Sequence, residues 1–392
     1  MRTRPVPPTA TRTAVVGAGL ALLLGACGVV GPTSPAEPDG AGADATGQAP
    51  AHARAALDAL IDDHVFPAAL AHVDLADTTY DVTAGVGDLA SGADVPVDGQ
   101  VRIASNTKTF TATVVLQLVG EGEVALDEPV ETYLPGLLRG DGIDGSAITV
   151  RQLLQHTSGL PNYTLHLGLE DPFALRDTYL PARELLDVAL EHPALFAPGE
   201  RWEYSNTNYT VLGLLIEAVT GRPYAEQVTE RIIEPLALEH TYVPLPGERE
   251  LREDHPRGYH PDADGELADI TRIDPSWGGA AGEVVSTPGE LTAFFEALVG
   301  GELLEPAQLA EMQRTVEMPP EWPGDGYGLG LSLDVLSCGV ELWGHGGDIF
   351  GYSTRGGATS EGAGVTLAVT ALPTDEDELA ALDDAVDTLV CD

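Results

Sequence analysis

The stretch VRIASNTKTF (residues 101–110) places Ser105 three residues before Lys108 and directly ahead of an apolar run that ends at Gly120. Residues three apart share one face of a helix, so this spacing predicts a helix whose first turn carries a hydroxyl beside an amine. Serine is a poor nucleophile near neutral pH unless a base lies within hydrogen-bond reach. Ser105 and Lys108 are therefore candidates for a nucleophile and its base.

The use of lysine at position 108 favours this interpretation. Lys108 is the single lysine among 392 residues, and the other 18 cationic side chains are arginines. Arginine cannot be deprotonated in a protein, whereas a desolvated lysine can lose its proton and act as a base. The alternative is an ordinary surface lysine at the start of a helix, since an isolated S-x-x-K pattern also occurs by chance.

The first 26 residues have the composition of an export signal. They contain three arginines and no acidic residue, and their apolar run (residues 14–26) is too short to span a bilayer. The run ends in LGAC (residues 24–27), which resembles the lipobox of bacterial lipoproteins, where the cysteine becomes the lipidated N-terminus. We therefore predict a signal peptide over residues 1–26, lipidation of Cys27 and a location on the extracellular face of the cell membrane.

The segment that follows predicts a flexible tether, and the rest of the chain predicts a folded body. Residues 32–51 are rich in proline, glycine and alanine and show no apolar period, so we assign residues 27–51 to the lipidated cysteine and its tether. Residues 52–392 can hold one large core or two closely packed lobes. If Cys27 is lipidated, Cys338 and Cys391 remain as a pair in an oxidising compartment, where a disulfide is the expected outcome.

The charge of the mature chain excludes several classes of partner. Loss of residues 1–26 removes three positive charges, which leaves 19 − 3 = 16 cationic against 62 acidic side chains, a net charge of −46. Nucleic acid and anionic membrane surfaces are poor partners for such a chain, so we expect membrane contact only through the lipid anchor. No C-x-x-C or H-E-x-x-H motif occurs, and the acidic run at residues 262–269 lacks EF-hand spacing. We expect no metal, no cofactor and a monomer.

The apolar periods predict an α+β fold. Strands at both ends of the body and helices in its middle predict one antiparallel sheet, formed by the N- and C-terminal segments and flanked by helices, with an inserted mostly helical lobe. Thr149 and Thr287 are the predicted caps of two of these helices. Predicted helices cover residues 53–65, 182–190, 209–219, 225–233, 288–299 and 377–390; predicted strands cover residues 69–74, 79–86, 328–336, 339–343, 350–355 and 364–371.

Two further motifs, together with Ser105 and Lys108, complete the set of catalytic groups that a serine hydrolase needs. Tyr204-Ser205-Asn206 precedes a predicted helix, and Trp343-Gly344-His345-Gly346-Gly347 lies among the late strands. The order S-x-x-K, Y-x-N, H-x-G resembles that of the penicillin-recognising serine hydrolases, the β-lactamase-related family with its D-alanyl-D-alanine carboxypeptidases, class C β-lactamases and esterases. The likeness extends over nearly all of residues 52–392, and the secreted actinobacterial carboxypeptidases are the most similar subgroup. It implies the β-lactamase/transpeptidase-like fold.

The resemblance implies a role for each motif residue. Ser105 would be the acylated nucleophile and Lys108 its partner in proton transfer. Tyr204 would relay a proton to the leaving group, and Asn206 would hold the substrate's amide carbonyl. His345 would occupy the strand position where relatives carry lysine or histidine. Taken singly, Tyr204, Asn206 and His345 also fit a half-buried aromatic, a helix cap and a structural sheet histidine.

Substrate binding is implied for the strand edge after His345. Gly346, Gly347 and Asp348 would line the site, and the backbone N–H groups of Ser105 and Asp348 would form the oxyanion hole. We interpret His156, in the loop His156-Thr157-Ser158-Gly159, as structural, because this loop resembles a family element without a chemical role.

The chain departs from the family pattern where a carboxylate should bind. Gly346 replaces a hydroxyl, Ser332 stands at the position of an arginine, and Asp348 adds a negative charge, although Arg355 on the next strand could compensate. We therefore predict acyl transfer on Ser105. The leading hypothesis is a D-alanyl-D-alanine carboxypeptidase that acts on cell-wall peptides. The alternatives are an esterase or β-lactamase on the same machinery, and a penicillin-binding lipoprotein that acylates without turnover.

Overall fold

The computed structural model describes residues 48–62, 64, 66–320, 322 and 324–392. The predicted signal peptide, Cys27 and most of the predicted tether lie outside these residues. No helix in the described part has both the length and the apolar character needed to cross a membrane. The body begins with a helix at Ala51, one residue before the predicted boundary.

The strands build one large antiparallel sheet and three small two-stranded ladders. They are β1 (Ala68–Leu75), β2 (Thr78–Gly85), β3 (Val101–Arg102), β4 (Arg139–Gly140), β5 (Ile143–Asp144), β6 (Tyr259–Pro261), β7 (Leu267–Asp269), β8 (Val285–Ser286), β9 (Gly326–Tyr327), β10 (Ser332–Val335), β11 (Glu341–Gly344), β12 (Gly347–Ile349), β13 (Tyr352–Ala358) and β14 (Gly364–Val369). The large sheet has the order β2-β1-β14-β13-β11-β10-β9, and β12 also pairs with β13. The N-terminal strand β1 lies beside the C-terminal strand β14, with Ala69 opposite Val369, which confirms a sheet formed by both ends of the body.

Helices cover both faces of this sheet and fill the middle of the chain. They are α1 (Ala51–Asp62), α2 (Thr107–Gly120), α3 (Val150–Leu154), α4 (Pro172–Leu175), α5 (Ala182–Leu190), α6 (Asn206–Thr220), α7 (Tyr224–Val228), α8 (Pro288–Val299), α9 (Pro306–Met312) and α10 (Glu376–Cys391). Helix α7 continues as a π-helical turn over Thr229–Ile233, so the predicted single helix over residues 225–233 is two segments.

Alternation along β1 explains why helices pack on both faces. Ala69, Ala71 and Val73 belong to one apolar cluster with α1 and α10, whereas Leu70 belongs to a second, larger cluster with α8 and α2. Successive side chains of a strand point to opposite faces, so a strand with apolar residues on both faces must be covered twice. The sheet is thus the middle layer of the fold.

Helix α2 is the central element of the larger cluster. Eleven of its 14 residues are buried, and the Phe110 ring stacks on Phe294 of α8 with the ring centroids 3.8 Å apart. Burying each large apolar side chain of this helix stabilises the fold by roughly 1.5–3 kcal/mol. A helix buried on nearly all sides holds its first turn in a fixed place.

Threonine caps start two helices where the sequence predicts them. The Thr149 side chain accepts from the backbone N–H of Gln152, and the Thr287 side chain accepts from that of Glu290. Such caps satisfy one of the unpaired N–H groups of a helix start and are worth about 1 kcal/mol. Both predicted caps are confirmed.

The predicted strand over residues 328–336 is wrong in its first half. Gly330 has a left-handed φ of +76°, and the N–H of Gly328 bonds back to the carbonyl of Leu331, so the chain turns between β9 and β10. A Cβ at Gly330 would lie 2.5 Å from the Ala112 Cβ on α2. The glycine therefore allows a tight turn against the central helix, which a strand period cannot reveal.

A disulfide joins Cys338 to Cys391, with the two sulfur atoms 2.03 Å apart. It ties the turn between β10 and β11 to the end of α10, across a sequence separation of 53 residues. Closing a loop of that length stabilises the fold by about 4 kcal/mol in the chain-entropy account.

Candidate active site

Ser105 lies in a tight turn that leads directly into α2. The turn is a 3₁₀ segment over Ala104–Asn106, and Ala104 has an unusual left-handed φ of +48°. A non-glycine residue in this conformation costs about 1–3 kcal/mol and persists only when its surroundings enforce it. The turn holds Ser105 at the surface of a cavity while the next helical turn is fully buried.

Lys108 lies one turn further along α2 and contacts three oxygen atoms. Its Nζ is 2.9 Å from Ser105 Oγ, 2.8 Å from Asn206 Oδ1 and 2.8 Å from the backbone carbonyl oxygen of Ala281. The amide Nδ2 of Asn206 faces Thr164 Oγ1 at 3.5 Å, which leaves Oδ1 for the lysine. The predicted pair is therefore brought together, and Asn206 joins it from the start of α6.

Burial makes Lys108 a base. Its side chain is 0% exposed, and desolvation lowers its pKa well below the usual 10.5. A neutral amine has two N–H donors and one lone pair. The carbonyl oxygens of Asn206 and Ala281 can only accept, so they take both donors and leave the lone pair for the hydroxyl proton of Ser105.

Tyr204 approaches Ser105 from the other side. Its hydroxyl is 2.9 Å from Ser105 Oγ, and burial raises its pKa well above 10.0. The phenol therefore keeps its proton and donates a hydrogen bond to Ser105 Oγ. The opposite pKa shifts of Lys108 and Tyr204 suit a base and an acid on either side of one nucleophile.

His345 lines the same cavity without contacting Ser105. Its Nε2 accepts from the Tyr327 hydroxyl at 3.0 Å, and its Nδ1 donates to the Gly346 carbonyl at 2.5 Å. Burial lowers the pKa of His345 to about 3, so the ring is neutral. Both ring nitrogens are engaged, and this arrangement gives His345 no proton to exchange with the nucleophile.

Strand β12 brings a backbone edge against the Ser105 turn. A Cβ at Gly347 would lie 2.3 Å from the Ile103 carbonyl oxygen and 2.7 Å from Asn106 Nδ2, so only glycine allows this approach. Asp348 follows on the same strand, and its exposed carboxylate accepts a hydrogen bond from Ser353 Oγ at 2.6 Å. This bond fixes the side chain of Asp348, which also lines the cavity.

The cavity at Ser105 has a volume of about 290 Å³ and two unlike walls. One wall is aromatic: the Trp322 ring stacks on Tyr204 with centroids 5.0 Å apart and meets Trp202 edge-on at 5.1 Å. The other wall carries three carboxylates and one guanidinium, from Asp334, Asp348, Asp383 and Arg355.

Arg355 is already paired inside the acidic wall. Its side chain is 11% exposed and lies 3.2 Å from the Asp348 carboxylate and 3.5 Å from that of Asp383. Burial raises the pKa of Asp334 to about 6, so this third carboxyl is partly charged near neutral pH. The guanidinium that could compensate for Ser332 is therefore neutralised by acidic neighbours.

Sequence reasoning missed three contributors to this site. The Ala281 carbonyl leaves no sequence signal, because any residue can supply a backbone oxygen. Asp383 comes from the closing helix α10, and only the fold brings it to the cavity. His156, interpreted as structural, lies against Tyr204 with the ring centroids 4.3 Å apart. Among the described residues, no group of three or more histidine, cysteine or acidic side chains is suited to hold a metal.

Comparisons with known proteins agree with this geometry. A protein-family model described as Beta-lactamase matches residues 53–389. The chain is 29% identical over 323 residues to penicillin-binding protein 4 of Amycolatopsis lactamdurans, covering 80% of this chain and 79% of that protein. It is 39% identical over 164 residues to esterase EstB of Burkholderia gladioli, which is 39% of this chain and 41% of the esterase.

Two solved structures are similar over nearly the whole body. A D-stereospecific amidohydrolase from Streptomyces sp. superposes with a TM-score of 0.79 at 40% identity, covering 87% of this chain and 98% of that chain. The D-amino acid amidase of Ochrobactrum anthropi SV3, in complex with L-phenylalanine amide, gives a TM-score of 0.77 at 30% identity, covering 86% and 96%.

The protonation state of Lys108 is testable through stability. The unfolded chain holds a proton on this lysine up to a pKa near 10.5, whereas the folded protein does not, because burial lowers the pKa. Between the lowered pKa and 10.5, the unfolded state binds one proton more. The free energy of unfolding of the wild type should therefore rise with pH relative to Lys108→Met, by about 1.4 kcal/mol per pH unit.

Urea denaturation of both proteins at pH 7, 8 and 9 measures this difference. A gap between the two unfolding free energies that stays constant with pH would mean that the folded protein keeps Lys108 protonated.

Proposed function

The chain belongs to the beta-lactamase family, and we propose that it is a serine amidohydrolase that acylates Ser105 with amides or esters of D-amino acids lacking a free C-terminal carboxylate. The observation that carries the proposal is the cluster at Ser105, where the Lys108 amine and the Tyr204 hydroxyl both lie 2.9 Å from one hydroxyl oxygen. The family consists of serine hydrolases, so our proposal concerns the class of substrate.

The cluster supplies each proton transfer of an acyl-enzyme mechanism. Ser105 Oγ attacks the substrate carbonyl carbon while its proton passes to the Lys108 lone pair. The backbone N–H groups of Ser105 and Asp348 hold the resulting oxyanion, and Asn206 holds the acyl side. As the tetrahedral intermediate collapses, Tyr204 protonates the leaving nitrogen, and the proton on Lys108 replaces the one that Tyr204 gave. A water molecule then cleaves the ester by the same steps in reverse, and positioned proton transfer of this kind contributes roughly 10²–10⁴-fold to the rate.

The acidic wall argues against a carboxypeptidase. Recognition of a terminal carboxylate uses bidentate arginine and hydroxyl donors. Here Ser332 donates its hydroxyl to the Gly344 carbonyl at 2.9 Å, and Arg355 is paired with Asp348 and Asp383. A substrate carboxylate would meet more negative than positive charge, so a neutral amide or ester end fits better.

The aromatic wall supports a bulky apolar group on the substrate. Trp322 is 40% exposed and forms an aromatic cluster with Trp202 and Tyr204 beside the nucleophile. Burying an aromatic side chain against such a cluster contributes about 0.5–1.5 kcal/mol beyond the area it removes from water. The proposed preference for D-amino acids is supported by the similarity to a D-stereospecific amidohydrolase and to a D-amino acid amidase.

A second candidate is penicillin acylation. It is favoured by the similarity to penicillin-binding protein 4, which extends over 80% of this chain. A lasting penicilloyl adduct on Ser105, with no turnover of amides or esters, would favour this binder over the amidohydrolase.

The proposed activity is tested with D- and L-phenylalaninamide and matched esters. Wild type should release ammonia from the D-amide at least about tenfold faster than from the L-amide, and Ser105→Ala should release none because the acyl-enzyme cannot form. Ser146→Ala, at an exposed serine outside the cavity lining, is the matched control. Turnover that persists in Ser105→Ala would place the nucleophile elsewhere.

The charge argument predicts the effect of Asp348→Asn. This substitution should release Arg355 from one partner and remove a negative charge from the cavity. A charge-assisted bond to a carboxylate is worth roughly 1.5–3 kcal/mol, so kcat/KM for an acyl-D-Ala-D-Ala acid should rise about tenfold or more relative to its C-terminal amide.

Asp264→Asn, in the exposed turn between β6 and β7, is the matched control for lost charge. A wild type that already prefers the acid a thousandfold would contradict the charge argument, because some cation would then have to be free to bind it.

We also propose that the protein is exported and anchored through lipidated Cys27. The support is the three arginines in the first 12 residues, the apolar run over residues 14–26 and LGAC at residues 24–27, all outside the described residues. Detergent extraction and intact mass should give a chain that starts at Cys27 with added acyl chains, and Cys27→Ser should release the protein from membranes. A mature chain that retains residues 1–26 would contradict this proposal.

A further inference from the structure

His156 is fully buried and has a backbone conformation that histidine rarely adopts. Its exposure is 0%, and its φ is +59°, in the left-handed region. Such a conformation costs about 1–3 kcal/mol and is kept where the surroundings enforce it. The residue lies two positions after the end of α3, and its ring packs against that of Tyr204.

His156 holds the chain on both sides of Tyr204. Its backbone carbonyl accepts the N–H of Glu203 at 2.9 Å, and its Nδ1 accepts the N–H of Ser205 at 3.2 Å. Between these two bonds, the imidazole lies against the Tyr204 ring, with centroids 4.3 Å apart and planes inclined by 33°. Three contacts therefore fix the position of one phenol.

The neighbours of His156 also determine which ring nitrogen carries the proton. Nδ1 accepts a second bond from Asn208 Nδ2 at 2.9 Å, and the Ser158 hydroxyl donates to Asn208 Oδ1, which fixes that amide's orientation. Nδ1 is thus an acceptor and the proton is on Nε2. Burial lowers the pKa of His156 well below its usual value, so the ring stays neutral.

We infer that His156 is a positioning residue that holds the Tyr204 hydroxyl against Ser105 Oγ, through the Ser205 N–H bond and the face of its ring. The inference rests on the proposed function, in which Tyr204 gives its proton to the leaving group. His156 does not touch the nucleophile, so its effect on the reaction passes through Tyr204. A histidine that merely fills the core would stabilise the fold without favouring one type of leaving group over another.

Two substitutions separate the acceptor from the ring. Asn Oδ1 occupies the place of His Nδ1 along the side chain, and asparagine tolerates left-handed φ, so His156→Asn keeps the acceptor. His156→Phe keeps an aromatic ring but removes the acceptor. If His156→Phe does not fold, His156→Gln, which moves the acceptor by one bond, replaces it.

The readout is a pair of substrates that differ in their need for an acid. An amide nitrogen must be protonated to leave, whereas p-nitrophenolate leaves without a proton. His156→Phe should lower kcat/KM, which reports acylation and not the shared deacylation step, about hundredfold for D-phenylalaninamide and only a few-fold for the p-nitrophenyl ester. His156→Asn should keep most of the amide activity.

The same substitutions in a Tyr204→Phe background complete a double-mutant cycle between His156 and Tyr204. If His156 acts through Tyr204, His156→Phe should cost no more than about two- to threefold once the hydroxyl is absent. Equal losses for amide and ester, or an undiminished loss in the Tyr204→Phe background, would overturn the inference. Wild type that hydrolyses neither substrate would overturn the proposed function, and this inference with it.

Discussion

Removing Lys108 from water without a carboxylate partner is the constraint on which the rest of the site depends. An ammonium group buried in this way is costly, and the group responds by losing its proton. The three oxygens around Nζ come from Ser105, Asn206 and Ala281, in three segments far apart in the chain. The central helix, the start of α6 and the segment before β8 must therefore all be in place before the lysine can act as a base.

The same constraint explains the division of labour around Ser105. Desolvation acts on a lysine and a tyrosine in opposite senses, because each keeps its neutral form: the amine loses its proton and the phenol retains its own. One dry environment thus produces an acceptor on one side of the nucleophile and a donor on the other. Lys108 and Tyr204 are the side-chain hydrogen-bond partners of Ser105 Oγ among the described residues.

Sequence reasoning recovers the parts of this site that depend on residue type and local spacing. The pair Ser105 and Lys108 follows from helical geometry and from the singular lysine, and Tyr204 and Asn206 follow from motif order. The Ala281 carbonyl and the contact between His156 and Tyr204 could not be derived, because neither depends on a spacing along the chain. The turn at Gly330 could not be predicted for a related reason, because it depends on the close approach of Ala112 on helix α2.

The pairing of β1 with β14 has a consequence for how the body folds. Ala69 lies opposite Val369, so this strand pair joins positions 369 − 69 = 300 residues apart. Contacts of such long range form late, since closing the intervening loop costs entropy before any contact compensates for it. During synthesis, β1 and its hairpin partner β2 are made first and wait with one hydrogen-bonding edge unpaired. An exposed edge of this kind is where strands of different chains join, so this sheet is open to misassembly until β14 arrives to cover it.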